Sequence, residues 1–175
     1  MIKKISSGLV VFAGMVSLPA AVSQRQTQIP THVPANTPTS TRTPTPAPTP
    51  DYRHDARYLC LQKFFGQANC PAARLADVFL EAADDNHLDW RLLPSLSFVE
   101  TGGGKAAINN NLFGWASGRA HFDNLAAGIH QVAFHLAHRS PYRHKNVAQI
   151  LRIYNSNPDY ARKVTAVMLQ IAPTE

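Results

Sequence analysis

From Gln24 to Pro50 the chain is rich in Thr and Pro, has almost no large apolar residue, and ends in Thr-Pro-Thr-Pro-Ala-Pro-Thr-Pro. Seven of the 13 prolines fall between Pro30 and Pro50. Proline fixes φ and lacks an N–H, so this stretch forms neither a helix nor a strand ladder and populates extended, polyproline-like states. No single core can therefore span all 175 residues. The predicted organisation is a disordered Pro/Thr-rich linker over 24–51 and one folding unit over 52–175, long enough to bury a core.

Ahead of the linker, Met1-Ile2-Lys3-Lys4 is a short positive region, Gly8 to Leu18 is apolar, and Ala21-Val22-Ser23 supplies a small-x-small site. This pattern predicts a secretory signal peptide over 1–23. The apolar run falls short of the ~20 residues of a membrane span. An uncleaved anchor is the alternative, and no cysteine follows the run to carry a lipid. The expectation is a secreted or periplasmic, envelope-associated protein with no stable membrane insertion after cleavage.

Export gives meaning to Cys60 and Cys70, the two cysteines of the chain. In an oxidising compartment they are expected to form a disulfide closing a short loop, which contributes up to about 3 kcal/mol. Two unpaired thiols are the alternative. Charge also divides by position. Of the net +6, Lys3, Lys4, Arg25 and Arg42 lie upstream, and from Arg53 onward 13 Lys and Arg face 10 Asp and Glu. A domain at +3 without a Lys/Arg run or interleaved aromatics does not predict nucleic-acid binding.

The folding unit reads as a succession of helices. The first is expected over Asp55–Phe65, stopped by Gly66. The second opens at Pro71, with Leu75, Val78, Phe79, Ala82 and Ala83 at helical spacing. Asp89 is a predicted N-cap for a third helix with Leu92, Leu93, Leu96 and Val99 inward, ended by Thr101-Gly102-Gly103-Gly104. A loop over 105–123 follows, and then Asn124 caps a fourth helix reaching His138. A fifth covers Asn146–Ile153. Asn157 caps the last, with Pro158 in its first position. No strand-like alternation persists, so the fold class is mainly α.

Glu100 is the leading catalytic candidate. A carboxylate at a helix C-terminus meets the negative end of the dipole, and partial burial beside Phe98 or Val99 adds to that. Both raise its pKa, as a general acid for glycosidic cleavage requires near neutral pH. The alternative is a solvated glutamate at a frayed end. Asn110 and Asn111 offer amides suited to sugar hydroxyls and N-acetyl groups. Phe113 and Trp115 offer flat faces for pyranose rings, with Gly114 between them free of a Cβ. Ordinary turn chemistry with two core aromatics is the plainer reading of that segment.

Taken in order, Leu88-Asp89-x-x-Leu92-Leu93-Pro94, Val99-Glu100-Thr101-Gly102-Gly103-Gly104-Lys105 and Asn110-Asn111-Leu112-Phe113-Gly114-Trp115 resemble the glucosaminidase family of lysozyme-like enzymes. Phe122-Asp123-Asn124 with Gly128-Ile129 resembles the family's next helix. Tyr154-Asn155-x-Asn157-Pro158-x-Tyr160-Ala161 resembles its C-terminal tyrosine motif. The resemblance covers 75–171. It implies a lysozyme-like helical domain, a central helix carrying the catalytic Glu100, and cleavage of β-1,4 bonds between N-acetylated sugars of peptidoglycan. Phe113 and Gly114 would line the sugar groove, Tyr154 would stand across from Glu100, and Asn110 and Asn111 would contact sugar or shape the turn.

The chain departs from the family where only Thr101 to Asn109 separates Glu100 from the Asn-Asn turn, so the β-lobe is reduced or absent and no second carboxylate is evident. Asp123 is the nearest in sequence, with helix capping beside Asn124 the favoured alternative. The N-acetyl oxygen of the substrate can take the missing role, giving hydrolysis or an anhydro-forming lytic transglycosylation. His121, His130, His135, His138 and His144 crowd one region without a His-Glu-x-x-His pattern, so no metal is expected, nor any cofactor. The expectation is a monomeric enzyme acting on peptidoglycan strands. A non-catalytic peptidoglycan-binding module and an envelope scaffold are the rivals.

Overall fold

The structure is a computed structural model that describes residues 50–173. The signal segment predicted over 1–23 and all but the end of the linker lie outside the described residues. After a 3-10 turn over Tyr52–His54, the chain forms α1 (Ala56–Gln67), a 3-10 helix (Pro71–Leu75) and α2 (Ala76–Asp85). Then come α3 (Leu92–Thr101), α4 (Leu125–His138), α5 (Val147–Tyr154) and α6 (Pro158–Ile171). Among the described residues there is no strand, only an isolated bridge between Ile108 and Asn111.

Asparagine sets three of the helix starts. Asn124, Asn146 and Asn157 each accept a backbone N–H from the first turn of α4, α5 and α6, and Asn146 forms a full capping box with Gln149. Such a cap is worth about 1 kcal/mol. Two starts and one stop differ from expectation. Helix α1 continues through Gly66. It ends where Asn69 takes a left-handed φ of 51° and the Cys70 N–H bonds the Phe65 carbonyl. Pro71 opens a 3-10 helix before α2, and the Ala72 N–H in its first turn bonds the Gly103 carbonyl, 3.0 Å away. Asp89 does not cap α3; it accepts the Arg91 N–H and guanidinium in a turn just before it.

Helix α3 is the centre of the fold. Leu92, Leu93, Pro94, Ser95, Leu96 and Ser97 are all buried, so it is enclosed on every side, as an apolar helix without a polar face must be. It packs against α6 and α2, while α1 contacts both of these and α4 covers α2. This burial fixes the C-terminal end of α3. There Gly102, Gly103 and Gly104 take φ of 64°, 63° and 97°, a run of left-handed backbone that only glycine adopts readily. A Cβ on Gly103 would lie 2.8 Å from the Cys70 Cβ, so the glycine turn rests directly on that side chain.

The expected disulfide is absent: Cys60 and Cys70 are both free thiols. Cys60 lies in the middle of α1, half-buried. Cys70 is buried over Gly103 and hydrogen-bonded by its backbone to Phe65.

Candidate functional site

Glu100 is the penultimate residue of α3 and faces a cavity of about 270 Å³. Phe113, Gly114, Trp115, Ser117, Tyr142, Tyr154 and Asn155 line it together with Glu100. The enclosed α3 thus delivers one carboxyl to the mouth of a groove walled by aromatic rings.

Two contacts fix that carboxyl. The Tyr160 hydroxyl donates to Oε1 at 2.6 Å. On the other oxygen, Gly114 approaches so closely that a Cβ there would stand 2.9 Å from Oε2. Burial pushes the Glu100 carboxyl above the usual carboxylate range, and the hydrogen bond from Tyr160 pulls against it without cancelling it. Burial likewise raises Tyr142, Tyr154 and Tyr160, with the Glu100 charge adding to the effect at Tyr154 and Tyr160. All three phenols therefore remain neutral at physiological pH. Replacing Tyr160 by Phe removes the donor that favours the ionised form, so Glu100 should titrate at higher pH than in the wild type. Carbon-detected NMR of its carboxyl reads this, and an unchanged or lower midpoint would contradict it.

The aromatic wall is continuous. The Tyr154 and Tyr160 rings stack at 5.8 Å with 8° between planes. Trp115 lies 5.8 Å from Tyr154 and 6.0 Å from Tyr142. The Tyr154 hydroxyl donates to the Phe113 carbonyl, which joins α5 to the Phe-Gly-Trp turn across the groove.

The asparagines shape the loop. Asn109 and Asn110 take left-handed φ of 55° and 57°, a conformation asparagine tolerates better than most residues. The Asn110 amide donates to the Phe122 carbonyl. Asn111 is only 3% exposed; its Oδ1 accepts the Phe113 and Trp115 N–H groups, and its Nδ2 donates to the Trp115 and Ala120 carbonyls. The Asn111 amide is spent on the loop, and neither residue lines the cavity. The Asn111→Ala change strands several of these buried groups and should cost about 1–3 kcal/mol, read as a lower thermal midpoint. A loss below about 0.5 kcal/mol would contradict this role for the amide.

Asp123 is exposed and does not line the cavity, and Asn124 rather than Asp123 caps α4. Glu100 is thus the one acidic residue among the described residues lining the groove. Three of the histidines lie on α4: His135 is 5.6 Å from Trp115, His138 bonds Asn86, and His130 stands 3.7 Å from Glu81, with His130 and His135 lining a second pocket beside Asn86. Among the described residues no three potential ligands gather around a metal position.

No family model matches the chain, and no curated protein or solved structure matches it. The groove residues that sequence reasoning left out are Tyr160, Tyr142, Asn155 and Ser117. Tyr160 had a usable signal, since it falls within the same segment as Tyr154, just after the Pro158 helix start. Tyr142 had none: it reaches the groove through the connection between α4 and α5.

Proposed function

We propose that the domain is an exported, lysozyme-like peptidoglycan glycosidase that cleaves β-1,4 bonds between N-acetylated amino sugars, with Glu100 as general acid. The observation that carries this reading is a half-buried carboxyl with a raised pKa, held by Tyr160 at the mouth of an aromatic-walled groove. Tyr160 occupies Oε1, so the acidic proton is placed on Oε2, beside Gly114. Transfer of that proton to the glycosidic oxygen accompanies cleavage of the C1–O bond, a step for which a positioned acid contributes about 10²–10⁴-fold.

With no second acid lining the groove, the N-acetyl oxygen of the substrate attacks C1 as the leaving group departs. The Glu100 carboxylate then accepts a proton either from water, giving hydrolysis, or from the sugar's own 6-hydroxyl, giving an anhydro ring. Neutral Tyr154, Tyr142 and Trp115 offer ring faces and hydroxyls to the sugars without adding charge. A non-catalytic wall-binding module is the second reading, and the same missing carboxylate favours it. Incubation of the full-length protein with purified peptidoglycan separates the two. Release of soluble muropeptides supports the enzyme, and their masses distinguish reducing from anhydro ends. Retention on the polymer without release supports the module.

A further inference from the structure

The positive charge of this domain is concentrated beside the groove. From Asn124 to Pro158 there is no Asp or Glu, while Arg139, Arg143, Lys145 and Arg152 all lie in that interval. The domain from Arg53 onward has 13 Lys and Arg against 10 Asp and Glu; without this interval it has nine against ten. The whole cationic excess therefore belongs to α5 and the connection that leads to it from α4. Elsewhere Arg53 pairs with Asp51, Arg57 with Asp55 and Asp84, Arg91 with Asp89, and Arg162 with Asp159, while Arg74 and Arg119 have no acidic partner among the described residues. Among the described residues, none of the four cations of the interval has an acidic partner, and all four are exposed.

Their placement relative to the groove is fixed by the backbone. Tyr142, which lines the cavity, donates its N–H to the Arg139 carbonyl, as does Arg143, and the Lys145 N–H returns to the Tyr142 carbonyl. One tight turn thus carries a groove residue, Tyr142, together with three exposed cations. The Arg139 guanidinium lies 5.3 Å from the centroid of the exposed Phe134 ring, which orients its fork while leaving its donors unsatisfied.

We infer that the turn carrying Arg139, Arg143 and Lys145 is an anion-recognising rim of the Glu100 groove, and that it takes the carboxylates of the stem peptides borne by the glycan strand. The inference rests on the glycosidase reading and extends it from a sugar polymer to a peptide-substituted one. The carboxylate assignment follows from location and number. A strand held against Tyr142 and Trp115 brings its substituents to this rim, and three flexible or forked donors match isolated carboxylates better than a long phosphate track.

The test compares binding of the full-length Glu100→Gln protein, which removes turnover, to intact peptidoglycan and to the same strands stripped of stems by an amidase, with the lactyl carboxylate that this cleavage leaves on each muramic acid converted to a neutral methylamide. Its counterpart carries Arg139→Gln, Arg143→Gln and Lys145→Gln in addition. The expected result is about tenfold tighter binding to stem-bearing strands at low salt, shrinking as salt is raised and absent in the charge-neutral counterpart. Equal binding of both polymers, or a preference that survives neutralisation, overturns the inference and leaves the glycosidase reading standing. Binding to neither polymer removes that reading, and the inference with it. Tighter charge-dependent capture by phosphatidylglycerol vesicles than by stem-bearing strands assigns the rim to a phosphate surface and overturns the carboxylate assignment.

Discussion

The Gly114→Ala variant is expected to lose about a hundredfold in peptidoglycan cleavage while losing only about 1–2 kcal/mol of stability. Two constraints meet at this residue. Its φ of +59° penalises any side chain, and the added Cβ would stand 2.9 Å from Glu100 Oε2. The carboxyl is the softer of the two partners, so it moves. It cannot move freely, because Oε1 is held by Tyr160 and α3 is enclosed by the core. The acid is displaced from its productive position rather than the loop being unfolded. Gly118 supplies the control: its φ is +79°, yet nothing lies within 4 Å of a Cβ there. The Gly118→Ala variant should lose comparable stability and keep wild-type cleavage. If the two variants lose activity equally, the contact between Gly114 and Glu100 is not what positions the acid.

The helical architecture was legible because its signals are local. Asn124, Asn146 and Asn157 announce helix starts by capping chemistry, and α4, α5 and α6 begin where those residues place them. The triple glycine after Glu100 likewise reads as a stop, and the structure adds its cause in the Cys70 side chain beneath Gly103. Tertiary competition was not legible. Pro71 opens a 3-10 helix whose second N–H bonds the Gly103 carbonyl just beyond α3, and nothing near Pro71 in sequence reveals that contact. The disulfide expectation failed likewise: compartment chemistry argued for pairing, while the fold seats Cys70 against the glycine turn with its thiol free.

At the site, the sequence pattern singled out Glu100 through a violated local rule, a carboxylate at the wrong end of a helix. The structure attributes its raised pKa to burial in the groove. The asparagines were ambiguous, because a polar amide looks the same whether it serves a ligand or a backbone, and the closed set of Asn111 hydrogen bonds shows it bracing the loop. Tyr160 and Tyr142 come from segments 42 to 60 residues beyond Glu100, a distance over which no periodicity operates.

The second large effect belongs to Glu100→Gln, and it has two parts of opposite sign. The folded carboxyl titrates above its unfolded value, so the stability it contributes is full below the unfolded pKa and lost as pH rises through the folded one. At neutral pH, above the unfolded pKa, the buried carboxyl therefore burdens the fold. The neutral amide removes that burden, and the variant should melt higher than the wild type at pH 7. The advantage should vanish as the pH falls below the ordinary glutamate range. Cleavage moves the other way, by about 10²–10⁴-fold downward, since the amide has no proton to give.

The most direct measurement is the rate of soluble muropeptide release from purified peptidoglycan by the wild-type and Glu100→Gln proteins, with thermal midpoints recorded on the same samples. The account predicts that the wild type releases fragments and that its rate falls as pH rises through the raised carboxyl pKa. It predicts that the variant releases essentially none while melting at or above the wild-type temperature at neutral pH. Equal release by the folded variant would contradict the assignment of Glu100 as the acid.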